Sequence, residues 1–271
     1  VRLRFVKGHG TENDFVVLPD LDQEALTPAL VRTLCDRHAG IGADGVLRVG
    51  RDGAGWFMDY RNADGSVAEM CGNGMRVFAR YLVDAGLERP GTFEVGTRGG
   101  PRRVRVPATG DVSVDMGEPT LLDRTPSVAG VPATAVSMGN PHVVVSVPTA
   151  AELAGLDLTR PPAVVPPLPG GQNVEFVLRT GPRQLRVRVH ERGAGETRAC
   201  GTGVCAAVVA TVHIGRDGAG EEWAVDVPGG RLAVRWAGTV ELTGPAVLVA
   251  AGELLLDPDR LDGDQLVLGA G

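Results

Sequence analysis

Apolar and polar residues alternate along much of this chain with the period of half-buried strands. Residues 111–116 read Asp-Val-Ser-Val-Asp-Met and residues 185–190 read Leu-Arg-Val-Arg-Val-His, so every second side chain faces a core. Residues 102–106, 223–227 and 240–242 follow the same pattern, and residues 1–8 read as a first strand. Glycine and proline clusters separate these runs, and 39 Gly with 19 Pro imply many tight turns. Helical spacing is rarer. Met75, Phe78, Ala79 and Leu82 share one face, Arg76, Arg80 and Asp84 form a narrow polar stripe, and Gly86 is the expected stop. Residues 204–212 are apolar on nearly every side apart from Thr211, which predicts a helix buried all round. Residues 27–38 predict a third helix, with Thr27 as N-cap and Pro28 at the first position.

The pattern repeats. Cys71-Gly72-Asn73-Gly74 and Cys200-Gly201-Thr202-Gly203 are near-copies, each followed by an apolar run. The same offset of 129 residues separates Cys71 from Cys200, Asn62 from Glu191 and Asp44 from Asn173, and 127 residues separate Asn13 from Asn140. One half therefore reads as a diverged copy of the other. The predicted architecture is α+β, with two pseudo-symmetric domains that each wrap strands about a central helix. The expected bounds are 1–120 and 121–245, with the crossing near residues 117–125. The proline-rich stretch 161–169 reads as a loop inside the second copy, and residues 256–271 as a tail.

Composition narrows the possible functions. A hydrophobic content of 43% and a charged content of 22% are ordinary for a soluble globular protein. A net charge of −6 argues against nucleic acid, which calls for a basic face. No apolar run approaches the roughly 20 residues of a membrane span, so no membrane partner is expected. The first residues do not read as an export signal. A cytoplasmic location and four reduced cysteines are expected accordingly. Lys7 is the only lysine. A pyridoxal-phosphate Schiff base would have to form there, with no phosphate-binding loop nearby, and no cofactor is expected. Cys71 and Cys200 have no CxxC partner and the five histidines are scattered, so no metal site is expected either.

The two motif cysteines carry the chemistry. A thiol at a helix N-terminus meets the helix dipole and unpaired N–H groups, which favour thiolate. Neighbouring glycines at 72, 74, 201 and 203 would let a ligand approach the backbone, where the N–H groups can hold a carboxylate. Two such thiols suit a nearly symmetric reaction, in which one takes a proton from a carbon and the other returns one to its opposite face. Cys35 and Cys205, outside the repeated positions, read as core residues. The asparagines at 13, 62, 140 and 173, each at a motif point of the repeat, suggest a polar pocket for a zwitterion; Glu191-Arg192 reads either as a surface ion pair or, from the match of Glu191 to Asn62, as a functional pair.

Residues 8–18 (GHGTENDFVVL), 35–47 (CDRHAGIGADGVL), 58–82 (MDYRNADGSVAEMCGNGMRVFARYL), 138–144 (MGNPHVV), 173–177 (NVEFV) and 189–206 (VHERGAGETRACGTGVCA) resemble diaminopimelate epimerases of high-GC Gram-positive bacteria. The resemblance implies β-barrel-like sheets around each central helix, an active site in the cleft between domains, and a strand near 246–255 that returns to the first domain. It implies cofactor-free interconversion of LL- and meso-2,6-diaminopimelate, in lysine and peptidoglycan precursor synthesis. Cys71 and Cys200 would be the acid/base pair, and Gly72, Asn73, Gly201 and Thr202 would hold the reacting carboxylate. Glu191 would meet the amino group and, with His142, tune the thiols. Asn13, Asn62, Asn140, Asn173 and Arg192 would complete substrate recognition. Two positions depart from many relatives. Gly45 stands where they have glutamine, and Ala250 stands where some place an interface tyrosine, which leaves a homodimer possible but unsupported at that position. A same-fold racemase for another amino acid is the alternative reading.

Overall fold

The computed structural model describes residues 2–216 and 218–255, so the 256–271 tail lies outside the described residues. The chain divides into two compact units. One runs to Val112 and resumes at Pro245, and the other is Ser113–Gly244.

In the first unit, β1 (Arg2–Gly10) and β2 (Asn13–Leu18) form an antiparallel hairpin. Its two-residue turn, Thr11-Glu12, has φ of 52° and 62°. Positive φ at both turn positions matches the twist of a hairpin, but it is unfavourable for a β-branched residue. Buried Thr11 is held by Arg76, whose Nη2 donates to its Oγ1 at 3.2 Å.

Helix α1 (Pro28–Cys35) begins as expected, with Thr27 Oγ1 accepting from Leu30 N at 3.2 Å. It stops three residues before the sequence predicts. Asp36 leaves helical geometry and its carboxylate accepts from the backbone N–H of both His38 and Ala39, an Asx-type turn that competes with the helix.

β3 (Gly45–Asp52) pairs parallel with β2, and β4 (Gly55–Asn62) antiparallel with β3. After α2 (Gly72–Asp84), β5 (Gly91–Gly96) pairs parallel with β4, and β6 (Arg102–Val106) antiparallel with β5. Helix α2 packs on β1, β2, β3, β4 and β6, so the sheet curls about it. Of its polar stripe only Asp84 is exposed. Arg76 and Arg80 are buried, and Arg80 donates to the carbonyls of Pro107 and Gly110 at 2.9 Å each.

The second unit repeats this pairing order. β7 (Val112–Asp115) opens it at the boundary, followed by β8 (Thr120–Leu121), β9 (Ser127–Val128), β10 (Val131–Ser137) and β11 (Pro141–Ser146). Then come α3 (Ala150–Ala154), β12 (Val164–Val165), β13 (Asn173–Gly181), β14 (Gln184–Glu191), β15 (Gly195–Glu196) and α4 (Gly201–Gly215). β16 (Glu222–Val227), β17 (Gly230–Ala237) and β18 (Thr239–Gly244) complete the unit.

β10 and β11 are antiparallel, β11 and β13 parallel, β13 and β14 antiparallel, β14 and β16 parallel, and β16 and β17 antiparallel. That sequence of senses is the same as from β1 to β6. Helix α4 lies against β10, β11, β13, β14, β17 and β18. It is buried along most of its length, and Thr211 Oγ1 returns a hydrogen bond to Ala207 O at 2.7 Å.

β7 pairs with β18, which draws the change of unit to Val112/Ser113, ahead of the 117–125 stretch. β19 (Val247–Leu255) returns to the first unit, antiparallel to β1 from Arg2↔Leu255 to His9↔Val247. Helix α2 also touches β19.

Candidate active site

Cys71 is the N-cap of α2. Its backbone is extended (φ −140°, ψ 120°) and its Sγ accepts from Gly74 N at 3.4 Å. The Asn13 Oδ1, at the start of β2, accepts from the Cys71 thiol at 3.8 Å and from Asn73 Nδ2 at 3.1 Å. Asn13 Nδ2 donates to Asp44 Oδ2 at 2.7 Å, and Arg76 Nη2 donates to Asn73 Oδ1 at 3.0 Å. Both ends of the two amides are thereby fixed.

Behind Asn13, Asp14 binds Arg37 in bidentate fashion at 3.0 and 2.8 Å and Lys7 at 2.6 Å. Burial works against ionisation of Asp14. The Arg37 and Lys7 hydrogen bonds and the Lys7 charge outweigh it and hold the carboxyl well below the usual carboxylate range. The lysine is tied into this cluster through Asp14 and the Gly42 carbonyl. Asn62 sits opposite Gly45 in the β3–β4 ladder, and its amide donates to Ser66 Oγ at 2.9 Å.

Cys200 caps α4 in the same extended conformation (φ −115°, ψ 111°), but it is 7% exposed. Its Sγ lies 3.5 Å from Thr202 Oγ1. The sequence predicts a thiol activated by the helix terminus, and the structure reverses this. Burial pushes the Cys200 thiol well above its ordinary value, and the charges of Glu191 and Glu175 push it further. The hydrogen bonds of Thr202 and of the Gly203 N–H oppose this and lose. Cys200 therefore rests as a protonated thiol.

Glu191, at the end of β14, accepts from Thr197 Oγ1. Burial raises its carboxyl, with Thr197 opposing and Glu175 adding to the rise. His142 and Glu175 are both fully buried, with Nδ1 2.7 Å from Oε1. His142 Nε2 lies 3.0 Å from Asn140 Oδ1, and Asn140 Nδ2 donates to Thr202 Oγ1 at 3.4 Å. Asn173 joins β11 to the Glu191-Arg192 corner. Its Nδ2 donates to Pro141 O at 3.3 Å, and its Oδ1 accepts from Arg192 N at 2.9 Å. The exposed Arg192 side chain is anchored by Nη1 to Gly170 O at 2.6 Å.

The first unit thus gathers Asn13, Cys71, Gly72 and Asn73. The second gathers Asn140, His142, Asn173, Glu191, Arg192, Cys200, Gly201 and Thr202. Two of the motif glycines serve internal packing. A Cβ at Gly74 would meet Leu47 Cδ2 at 3.2 Å and Phe15 Cζ at 3.4 Å, and one at Gly203 would meet Glu175 Oε1 at 2.6 Å.

Sequence reasoning missed Glu175, Thr197 and Arg76. An acid inside the apolar run Asn-Val-Glu-Phe-Val-Leu was the available signal for Glu175. Burial of Cys35 pushes its thiol up to about 12, in keeping with a core residue. Among the described residues, no group of three or more His, Cys, Asp or Glu is arranged to hold a metal. No described helix is long and apolar enough to cross a membrane.

The fold recurs in solved structures of low identity. A PhzF-family phenazine biosynthesis protein from Bacillus anthracis superposes with a TM-score of 0.74 at 15% identity, covering 94% of this chain and 100% of that one. A predicted epimerase from Pseudomonas aeruginosa gives 0.72 at 20%, with the same coverage. A probable proline racemase from Agrobacterium radiobacter gives 0.71 at 16%, covering 94% of each chain. The chain shares its mixed α+β fold with these proteins.

The family model for diaminopimelate epimerase matches residues 5–122 and 134–249. The Streptomyces coelicolor diaminopimelate epimerase is 50% identical over 281 residues, spanning 93% of this chain and 95% of its own. That of Thermobifida fusca is 50% identical over 279 residues, spanning 95% and 100%. The chain belongs to the diaminopimelate epimerase family and is an isomerase.

Proposed function

We propose that this protein interconverts LL- and meso-2,6-diaminopimelate without a cofactor, by a two-base mechanism in which Cys71 and Cys200 exchange the roles of base and acid. Identity of 50% across nearly the whole length of named relatives carries the substrate, and the paired cysteine N-caps support the mechanism. The reacting carboxylate is held by the first N–H groups of the two helices, at Gly72-Asn73 and Gly201-Thr202, as helix N-termini hold anions generally. A thiolate on one face takes the α-proton. The C–H electron pair passes into the carboxylate, where preorganised donors stabilise the growing charge. The opposite thiol gives its proton to the carbon and becomes thiolate. The net change is inversion at carbon and transfer of one proton between sulfurs.

Cys200, held protonated, is the donor in the first half of that exchange, and Cys71 is the base. Glu191 receives the substrate ammonium and His142 orders the Cys200 side. Asn13, Asn62, Asn140, Asn173 and Arg192 recognise the remaining polar groups, with Arg192 assigned to the distal carboxylate. The proposal extends to a cytoplasmic homodimer. The exposed apolar residues Val247, Val249 and Leu255 on β19 favour self-association, and sedimentation velocity tests it.

The deciding experiment incubates purified protein with LL-diaminopimelate in D2O and no added cofactor. It follows the isomers by chiral chromatography and the α-carbon label by mass spectrometry. Formation of meso isomer with solvent deuterium is expected. Inversion of proline or another single amino acid in place of diaminopimelate would overturn the substrate assignment.

A further inference from the structure

Glu175 is the buried acid for which the two-thiol mechanism has no use. It lies on β13 with no solvent exposure, and its Oε2 is buried with no hydrogen-bond partner among the described residues. An apolar residue would fill the same core position without the cost of burying an unpaired carboxyl oxygen. Two geometric features tie the residue to Cys200. One is a continuous chain of polar contacts: Glu175 Oε1 to His142 Nδ1 at 2.7 Å, His142 Nε2 to Asn140 Oδ1 at 3.0 Å, Asn140 Nδ2 to Thr202 Oγ1 at 3.4 Å, and Thr202 Oγ1 to Cys200 Sγ at 3.5 Å. The other is direct proximity. The place where a Cβ on Gly203 would sit is 2.6 Å from Glu175 Oε1 and 3.3 Å from Cys200 Sγ. Glycine at 203 is what lets carboxyl and thiol share that space.

We propose that Glu175 is a positioning residue for Cys200. It orients His142, and through it Asn140 and Thr202, toward the thiol, and its charge opposes formation of the thiolate. The proposal rests on the reading above, in which Cys200 is one of the two acid/base groups. With the Asn140 oxygen facing Nε2, the imidazole donates there, and Nδ1 is turned to the Glu175 carboxyl. The charged groups that act on the sulfur are Glu191 and Glu175, with the Thr202 hydroxyl and the Gly203 N–H beside it, and His142 acts in turn on Glu191. Glu191 stands at the strand end beside Thr197 and can be engaged by substrate. Glu175, fully enclosed, keeps its influence whether or not substrate is bound.

The test is a substrate-free pH titration of Cys200 in the full chain, by iodoacetamide alkylation resolved to the Cys200 peptide. Glu175→Gln keeps the shape and, through either end of its amide, a hydrogen-bond partner for Nδ1, but removes the charge. Its Cys200 titration is expected to move down by about one unit, so alkylation at pH 7 rises about tenfold. Glu175→Asp keeps the charge but withdraws it by one methylene, and is expected to fall between Gln and the parent. The pH profile of kcat/KM for diaminopimelate should move in the same direction as the titration. A folded Glu175→Gln protein with an unshifted Cys200 titration overturns the proposal. So does failure of both variants to fold, since Glu175 would then be a core residue only. Absence of any diaminopimelate turnover in the parent would strike the functional reading and leave the thiol titration standing on its own.

Discussion

At Cys200 two effects of opposite sign act on one sulfur. The helix N-terminus and the Gly203 N–H favour thiolate, while burial and two carboxyl groups favour thiol, and the second set wins. Cys71, capped by Gly74 N and facing the Asn13 amide, stands in a different setting although the motifs are near-copies. The repeat was legible in the sequence. The difference between its two copies was not, because it depends on Glu175 and Glu191 being folded against α4. If each thiol serves one face of the α-carbon, Cys71→Ala and Cys200→Ala should each lower kcat by about 10²–10⁴ or more, and near-parental turnover in either would refute the two-base assignment.

Arg192 makes a finer prediction at the same scale. Its guanidinium is held by Gly170 O and is otherwise exposed. Arg192→Ala should cost about 2–5 kcal/mol in kcat/KM for diaminopimelate if it pairs with the distal carboxylate. It should cost little on a monocarboxylate such as lysine, already a poor substrate. An equal loss on both would move Arg192 to the reacting centre.

Asp14 offers a pH test. Its carboxyl is depressed in the folded protein, so its contribution to stability is complete above the unfolded value of about 4. It is lost as pH falls toward the folded value. Asp14→Asn should therefore be less stable at neutral pH and lose stability less steeply in acid, as denaturant titrations across that range would show.

At the scale of elements, the hydrophobic pattern revealed the helices better than their surroundings. The Met75–Leu82 face and the nearly all-apolar 204–212 run lie in α2 and α4. Arg76 and Arg80 of the narrow polar stripe are buried against carbonyl groups. Sequence spacing locates a stripe, and only tertiary contacts decide whether water or a loop faces it. The motif glycines show the same limit. Gly74 and Gly203 occupy equivalent positions, yet the missing Cβ leaves room for Leu47 and Phe15 in one unit and for the Glu175 carboxyl in the other. Gly74→Ala is expected to be close to neutral, because a 3.2 Å contact to the end of a leucine can relax and alanine favours the helix by about 1 kcal/mol. Gly203→Ala places a methyl group 2.6 Å from an oxygen already fixed by His142 and should cost about 1–3 kcal/mol. Equal urea midpoints for the two variants would contradict this.

At the scale of the molecule, the first unit is not contiguous in sequence. β1 is paired on one side with β2 and along its length with β19, from Arg2↔Leu255 to His9↔Val247. Nothing in the periodicity of Val-Leu-Val-Ala-Ala-Gly-Glu-Leu-Leu shows where that strand docks, because register between distant segments is set by tertiary packing, and only the family resemblance anticipated the return. The dependence runs deeper than one ladder. Arg76, fully buried under the Thr11 turn, donates to Pro245 O at 3.3 Å. Gly8 packs so closely on Val247 and Leu248 that a Cβ there would meet them at 2.9 and 3.0 Å. A chain ending at Gly244 would lose the β1 ladder and leave a buried guanidinium short of an acceptor, a loss of several kcal/mol once the strand's apolar contacts are included. Ser113–Gly244 keeps all of its own pairings. Hydrogen exchange on the truncated chain should therefore show β1, β2 and α2 exchanging close to unfolded rates, while β13, β14 and α4 stay protected. If α2 remained as protected as in the full chain, β19 would be an accessory strand and the first unit would fold from residues 2–112 alone.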